Sequence, residues 1–500
     1  MLIAVLAAIY FYDLGNTPVY FGGDEAHFGV AAHSIANTGR NLRGDFLPLF
    51  VNLSDPLGRK PHEWGDTYYQ PVLFYLTALV VKVLPLSITS VRLTAAFIGG
   101  ILTPLLMYLV ALRVIGRRGP ALAAALLLAL APTQVVLSRQ ALDYICPLPF
   151  VCGWLWCLHE HVRTGQRKFA IAAGAILGVG CYSYIASWAM MPGYLLLSWI
   201  VMWRQGRCVR PIAESGLAFA VPVSLALLWI ALHPDMLAQT MARYDRQEGQ
   251  TFGLLPTYLS FFDPTLLFIR GGPSMTTSTA RSGFVLLSAA PLLAAGALAL
   301  WRRRDWVAFV IVAGIVSAPI PAALKGEPSL IQRAMYLLPF LALTGGLGFA
   351  LLWQSRSWAV RLVTVAALAL APVQFAYFYF DYFTHYKLRS AFYYDNVAFV
   401  DVAAYLIADR RAPAFYFADD VDDASVKWRF YSTVNGKAEL LARTQYIAPD
   451  AVPAGPADSL LVTYEQSPRL ERLTAGGWRI EKIVHDVDNR PAAAILRKQR

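Results

Sequence analysis

Two adjacent carboxylates, Asp24 and Glu25, stand near the start of the chain in the segment "YFGGDEAHFGVAAHSIANTGR". A carboxylate can accept the proton that a nucleophile loses as it attacks, so the pair is a candidate for general-base chemistry. His27 follows in the next positions and would project from the same side of a helix as Asp24. The pair also suits helix capping, with Asp24 at the cap and Glu25 in the first turn. These residues alone support catalysis and capping equally.

The segment that carries the pair predicts a short helix. Gly22 and Gly23 would end an extended stretch before it, and Gly39 would stop it. Its apolar residues fall on one stripe, formed by Phe28, Ala31, Ala32 and Ile35. Such a stripe favours a helix that lies on a membrane surface.

The composition predicts a polytopic α-helical membrane protein. The chain has 500 residues, of which 57% are hydrophobic and 15% charged, and its mean hydropathy is +0.47. Soluble domains carry nearer 25% charged residues. Apolar runs recur through residues 1–380, and because a span takes about 20 apolar residues, we expect about 11–13 transmembrane helices. Residues 71–84 are short for a span and contain Lys82, so we expect an interfacial or re-entrant helix there.

The net charge of +11 is concentrated in short connections such as "RVIGRR", "WRQGRCVR" and "WRRRD". Loops rich in Lys and Arg remain cytoplasmic, so the basic balance indicates topology rather than nucleic-acid binding. The loop 13–70 and the C-terminal segment then lie outside. The five cysteines show neither a zinc spacing nor a disulfide framework.

Residues 381–500 differ in character from the preceding 1–380. Their charges are balanced, and short strand-like runs such as "AFYFA", "SLLVTY" and "AAAILRK" alternate with helix-like runs. This pattern predicts a small soluble α/β domain outside the membrane, following a transmembrane domain. It has no glycine pattern for binding phosphate or a dinucleotide, so we expect it to support the fold or hold the acceptor.

Several segments, taken in order, resemble one family. They are "DEA" after a short first span, "YYQPVLFYL" with its Tyr-x-Pro element, "SVRLTAAFIGG", "LSRQALDY", "FIRGGPSMTTSTARSGFVLL" and "KGEPSLIQRAMYLLP". The chain resembles the GT-C membrane glycosyltransferases, and within them the bacterial branch related to protein O-mannosyltransferases and the lipid A aminoarabinose transferase. The resemblance covers residues 1–410 in outline.

The resemblance implies sugar transfer from a polyprenyl-phosphate donor to an acceptor at the outer face of the bacterial inner membrane. Asp24 matches the catalytic base of the family. Glu25 would orient the acceptor or help to bind a divalent metal such as Mg²⁺ or Mn²⁺. The sequence establishes no metal, because this cluster lacks a recognised ligand spacing. The acceptor would be a glycolipid, a polysaccharide or a protein.

A departing lipid phosphate needs cations, and the planar fork of Arg suits phosphate oxygens. The candidate substrate-binding residues are His27, Tyr69, Gln70, Arg92, Arg139, Asp143, Arg281, Lys325 and Arg333. Arg333 has the best claim among the arginines, because it occupies the place where the family carries its Arg. Asp143 can also simply pair with Arg139 in a turn. Arg270 is better explained by a side chain that extends from a helix end to the membrane surface.

Gln70 departs from the aminoarabinose branch, which has Lys before the Pro. This difference weakens the case that the chain uses the same sugar, or the same phosphate contact, as that branch. Lys60 or Lys82 would have to supply the missing charge.

Two other classes fit a polytopic protein with large outer loops. A transporter or flippase would carry charges at the bilayer midplane and an internal repeat, and neither is visible here. A polysaccharide polymerase or ligase does not usually open with an Asp-Glu pair after the first span.

Overall fold

The computed structural model describes residues 2–53, 68–206, 209–244, 253–448 and 451–499, and the described chain is mostly helical. The α-helices are, in chain order, α1 Leu2–Phe11, α2 Gly23–Thr38, α3 Pro71–Val83, α4 Ile88–Phe97, α5 Thr103–Ile115, α6 Arg118–Ala129, α7 Pro132–Ser138, α8 Pro147–Thr164, α9 Arg167–Gly180, α10 Ser187–Arg204, α11 Val209–Leu232, α12 Asp235–Tyr244, α13 Leu254–Ser260, α14 Ala290–Arg303, α15 Trp306–Ser317, α16 Ile320–Lys325, α17 Leu337–Trp353, α18 Trp358–Phe383, α19 His385–Tyr394, α20 Phe399–Ala408, α21 Ala424–Val434 and α22 Leu470–Ala475. The strands are β1 Val51–Asn52, β2 Tyr68–Tyr69, β3 Phe415–Ala418, β4 Thr444–Ile447, β5 Leu460–Tyr464, β6 Trp478–His485 and β7 Pro491–Lys498.

The described residues form two compact units. The first draws on Met1–Tyr12, Tyr69–Leu73 and Leu93–Tyr382, and the second on Asp13–Tyr68, Phe74–Arg92 and Phe383–Arg500. The segments after the first helix therefore belong to the same unit as the C-terminal strands.

The first unit contains apolar helices that approach one another closely through glycine. A Cβ atom added to Gly296 of α14 would overlap the carbonyl of Thr344 on α17. One added to Gly348 of α17 would overlap the carbonyl of Leu292 on α14. Small residues let helix backbones approach closely where apolar surroundings provide little hydrophobic driving force, as in a membrane. Glycine is therefore required on both sides of this contact.

Within the described ranges, four helical stretches are long and apolar enough to cross a membrane. They are Ile88–Ile115, Val209–Leu232, Trp306–Lys325 and Trp358–Phe383, and the bent pair α6 and α7, at 56°, passes the same test jointly. Only 11% of the most apolar window is buried in α11 and in α18, so both present apolar side chains outward. That surface suits contact with lipid. The predicted total of spans stays a prediction.

The second unit contains a five-stranded sheet in the order β4-β3-β5-β7-β6. β3 runs parallel to β4 and β5, and β7 runs antiparallel to β5 and β6. Leu461, Leu473, Trp478 and Leu496 form part of its buried core. The expected C-terminal mixture of strands and helices is confirmed, whereas the predicted division of the chain at residue 380 stays a prediction.

Candidate active site

Helix α2 carries the carboxylate pair in its first turn. Gly22 is the N-cap residue, and its backbone N–H donates to the Glu25 carboxylate at 3.2 Å. The helix ends at Gly39, whose φ of 68° suits a residue without a side chain. Asp24 is half-buried and Glu25 is buried. Capping thus involves Gly22 and Glu25, and Asp24 is the second residue of the helix rather than its cap.

Glu25 and Arg92, predicted separately, are in direct contact within the second unit. Arg92 Nε donates to Glu25 Oε1 at 2.8 Å and Nη2 donates to Oε2 at 2.8 Å. The Arg92 side chain is fully buried and that of Glu25 is 2% exposed. A buried, bidentate pair of this kind holds both side chains in one geometry.

The remaining N–H groups of Arg92 donate to backbone carbonyls before α2. Nη1 donates to Leu14 at 3.2 Å and to Pro18 at 2.9 Å, and Nη2 donates to Tyr20 at 2.7 Å. A guanidinium has five N–H donors, and these contacts use all of them. Arg92 therefore ties the segment that leads into α2 to the first turn of that helix.

Aromatic packing fixes the rest of α2 within the second unit. Phe28 stacks on Phe74 with ring centroids 4.2 Å apart. A Cβ at Gly29 would lie 3.1 Å from Val91 and 3.3 Å from Phe430, so the helix also packs closely there. The apolar stripe that we expected on a membrane surface is instead buried within the protein. It consists of Phe28, Ala31, Ala32 and Ile35. His27 is buried as well.

The pKa values of two titratable groups in or near α2 are shifted by burial. Burial raises the pKa of Tyr20, whose hydroxyl donates to Asp486 at 2.6 Å. Burial lowers the pKa of His33, which lies further along α2. Through this hydrogen bond, Tyr20 ties the segment that Arg92 holds to Asp486.

Arg139 lies in the first unit and binds the C-terminal end of α1. Nη1 donates to the carbonyl of Tyr10 at 2.7 Å, and Nη2 donates to that of Tyr12 at 2.7 Å. The last carbonyls of a helix lack intrahelical partners, and a cation placed there is favourable. The guanidinium is fully buried and lies 5.7 Å from the ring centroid of Tyr382. These contacts give Arg139 a structural role at the end of α1.

Arg281 pairs with Asp381, a residue that the sequence did not suggest. Arg281 Nη1 lies 3.2 Å from Asp381 Oδ1, with the Arg281 side chain 49% exposed and that of Asp381 4% exposed. An acid at the end of an apolar helix such as α18 is itself a signal for a functional or paired group. That signal could have been found in the sequence.

The other predicted residues of the first unit lie in different local settings. Tyr69 ends β2, and Gln70, which is buried, accepts a long hydrogen bond of 3.4 Å from Trp188 Nε1. Asp143 is buried at the start of a 3₁₀ turn, Asp143–Ile145. Lys325 ends α16 before Gly326, and Arg333 lies in a second 3₁₀ turn, Ile331–Ala334.

Three further predictions concern charge and metal binding. Lys82 is exposed in the last turn of α3, and Lys60 lies outside the described residues. Both Glu25 oxygens accept hydrogen bonds from Arg92. Among the described residues, no group of three or more His, Cys, Asp or Glu side chains is arranged to hold a metal ion. Because Arg92 already binds both oxygens of Glu25, the pair does not fit a divalent metal well.

Comparisons with known proteins identify the architecture. The family model described as dolichyl-phosphate-mannose-protein mannosyltransferase matches residues 66–229. The structure of ArnT from Cupriavidus metallidurans bound to undecaprenyl phosphate matches with a TM-score of 0.68, at 13% identity, over 99% of this chain and 97% of that one. The resemblance to GT-C glycosyltransferases is confirmed. The apo state of the same ArnT shares the GT-C fold with this chain at a TM-score of 0.65 and 14% identity, over 99% of this chain and 97% of that one.

A more distant GT-C structure also matches. Archaeal oligosaccharyltransferase AglB from Archaeoglobus fulgidus, in complex with an inhibitory peptide and a dolichol phosphate, has a TM-score of 0.50 at 12% identity, over 92% of this chain and 68% of that one. None of the curated proteins matches the chain. At these identities, the likeness to ArnT and AglB concerns the GT-C fold.

Proposed function

We propose that the protein is a polytopic membrane glycosyltransferase that moves a sugar from a polyprenyl-phosphate donor to an acceptor. The observation that carries the proposal is the likeness, over 99% of the chain, to an ArnT structure holding undecaprenyl phosphate. The AglB structure contains dolichol phosphate, and the matching family model is named for a dolichyl-phosphate sugar. All three therefore point to lipid-linked phosphate. A fold alone does not fix a reaction, so the residues must support it too.

Asp24 is the proposed catalytic base. Asp24 is half-buried in the first turn of α2, next to the Glu25 carboxylate that Arg92 holds in place at both oxygens. The acceptor nucleophile forms a bond to the anomeric carbon as the bond from that carbon to the donor phosphate breaks. The electron pair of the broken bond leaves with the phosphate, and the nucleophile's proton passes to Asp24. This single displacement inverts the sugar configuration.

We propose that the departing phosphate is bound by cations other than Arg92, the partner of Glu25. Arg92 and Arg139 donate to carbonyls in the structure, so they are proposed as positioning residues. Arg281, Lys325 and Arg333 are the proposed phosphate ligands, with Arg333 first because of its place in the sequence resemblance. Cations aimed at a developing negative charge lower the barrier directly. His27, Tyr69, Gln70 and Asp143 are proposed to shape the substrate site.

The topology belongs to the same proposal. Residues 1–380 form a transmembrane domain with an outer loop at 13–70, and 381–500 form a soluble extracytoplasmic domain. The apolar helices and the basic connections "WRQGRCVR" and "WRRRD" support a bacterial inner-membrane protein with that orientation. The acceptor is a glycolipid, a polysaccharide or a protein.

The test is transfer by the purified protein in lipid, with radiolabelled polyprenyl-phosphate sugars and candidate acceptors. Asp24→Asn should abolish transfer, whereas Asp235→Asn, an equivalent change in the first turn of α12, should leave it intact. If no donor loses its sugar while the protein carries a solute across vesicles, the transporter alternative replaces this proposal.

A further inference from the structure

A groove in the first unit has the properties of a lipid site. It has a volume of about 990 Å³ and runs between the ends of α10 and α14 and the outward side of α15. Pockets for small molecules range from roughly 300 to 1,000 Å³, so the groove is large for a headgroup alone. Most of its lining is apolar and includes Val201, Leu300, Phe309, Val312 and Val316. Of the described residues that line it, none belongs to the predicted catalytic site.

Two arginines mark one end of the groove. The Arg204 guanidinium lies 5.1 Å from the ring centroid of Phe309, and that of Arg304 lies 5.8 Å from that of Trp301. A guanidinium stacked on a ring keeps its in-plane N–H groups directed at other ligands. Across the described ranges, neither arginine takes part in an ion pair.

The acidic residue of the groove does not balance this charge. Asp305 Oδ2 lies 2.5 Å from Arg303 Nε, and Oδ1 accepts from the backbone N–H of Ala308 at 2.9 Å, capping α15. Its carboxylate is therefore shared between a third arginine and a helix start. The mouth of the groove carries two uncompensated positive charges from Arg204 and Arg304.

Tryptophans place this mouth at the depth of lipid headgroups. Trp203 is 72% exposed and Trp301 is 73% exposed, and each adjoins the basic residues. Trp306 begins the apolar stretch Trp306–Lys325, which is long enough to cross a membrane. Exposed Trp beside Arg at the start of a span is typical of a membrane–water interface. The groove thus runs from headgroup depth towards the hydrocarbon, an inference that rests on the membrane location in the proposed function.

We propose that this groove binds a bilayer phospholipid with a net-negative headgroup. The lipid phosphate is held by Arg204 and Arg304, and an acyl chain lies against Phe309, Val312 and Val316. Basic pockets between membrane helices select anionic lipids because each Arg contributes attraction at the headgroup. The apolar lining disfavours a soluble phosphate, and the uncompensated charges disfavour a neutral lipid.

The test measures lipid retention by the full-length protein without any sugar donor. Protein from nanodiscs of equal phosphatidylglycerol and phosphatidylcholine is extracted into mild detergent, and its bound lipid is counted by native mass spectrometry. We expect phosphatidylglycerol to be retained about ten- to thirty-fold over phosphatidylcholine, the preference that two arginines provide. The double variant Arg204→Ala/Arg304→Ala should lose this preference, and Arg204→Lys/Arg304→Lys should keep most of it.

The matched control is Arg117→Ala/Arg118→Ala, which removes the same charge from the exposed start of α6, outside the groove. It should retain phosphatidylglycerol like the unaltered protein. Equal retention of both lipids by the unaltered protein, or equal loss in the control, overturns the proposal. A thermal midpoint within a few degrees for each variant shows that folding is preserved. Asp24→Asn should retain the lipid, so a failure of sugar transfer and a failure of this site are separable.

Discussion

Arg92 binds both carboxylate oxygens of Glu25 at 2.8 Å while donating to the carbonyls of Leu14, Pro18 and Tyr20. A single buried cation thus connects α4, the segment before α2 and the first turn of α2. Asp24 takes its position from this arrangement, because it is the residue before Glu25. The acid that the proposed reaction needs is held by its neighbour's ion pair.

Replacing Glu25 with Gln should destabilise the protein strongly. The change leaves the Arg92 charge buried without its partner, and breaking a buried pair costs about 3–5 kcal/mol. The thermal midpoint in detergent should fall markedly, with sugar transfer lost as a consequence. The exposed pair of Arg167 and Glu214 gives a matched control, since Glu214→Gln should leave the thermal midpoint almost unchanged. Similar effects at both sites would contradict this account.

Substituting Arg139 with Leu should destabilise the C-terminal end of α1. The carbonyls of Tyr10 and Tyr12 would lose a charged donor, and an unsatisfied buried acceptor costs about 1–3 kcal/mol. A lowered thermal midpoint should accompany any loss of transfer. Tyr10→Phe, which removes one hydrogen bond to Ala129, should have a smaller effect. A variant that unfolds normally but no longer binds the donor would show instead that Arg139 is a phosphate ligand.

Arg333→Ala should reduce kcat about 100- to 1,000-fold, the effect of removing one group that stabilises developing charge. Arg270→Ala is the comparison, because we assign that side chain to the membrane surface. It should change kcat by only a few-fold. The measurement is initial rate against donor concentration for both variants. Equal kcat in the two proteins would remove Arg333 from the proposed phosphate ligands.

The close contact between α14 and α17 predicts that replacing a glycine there destabilises the protein, whereas replacing a glycine in open space does not. Gly348→Ala should lower the thermal midpoint, since the new methyl group would overlap the carbonyl of Leu292. Gly193→Ala in α10 meets open space, and there Ala should stabilise the helix by up to about 1 kcal/mol. A stabilising change at Gly348 would show that these helices do not pack as described.

The C-terminal sheet should lose stability in acid. Arg497 binds Glu481 and holds the pKa of that carboxyl below its ordinary value of 4.5. A carboxyl with a lowered pKa stabilises the folded state above its unfolded pKa, and that contribution is lost as the pH falls through the folded value. Tryptophan fluorescence, which includes buried Trp478, should report easier unfolding below about pH 4.5.

Arg497→Gln is the matching variant for this pH dependence. It should be less stable near neutral pH and should show a weaker loss of stability on acidification, because the lowered pKa of Glu481 depends on Arg497. If this variant loses stability on acidification as much as the unaltered protein does, other carboxyls must cause that loss.

The local features of this fold could be predicted from the sequence, and the long-range ones could not. Gly39 predicted the end of α2, and the strand-like runs predicted β3, β5 and β7, because turn residues and alternation act over a few positions. The pairing of Glu25 with Arg92 joins residues 67 positions apart. Nothing local distinguishes that Arg from one that binds phosphate.

The buried position of α2 was missed for a related reason. A stripe formed by Phe28, Ala31, Ala32 and Ile35 reads the same whether lipid or protein covers it. In the structure, protein side chains cover this stripe, among them the ring of Phe74 on α3. Likewise, Arg139 was a candidate cation by type, and its carbonyl partners at the end of α1 have no signature in the sequence.

The outward faces of α11 and α18 set few constraints on their side chains, because only 11% of their most apolar windows is buried. Where a side chain such as Leu362 or Val373 is exposed, one aliphatic residue can replace another with no neighbour to disturb. At Gly296 and Gly348 there is no such latitude. Substitutions should therefore be tolerated on these outward faces and resisted at the few crowded glycines of the first unit.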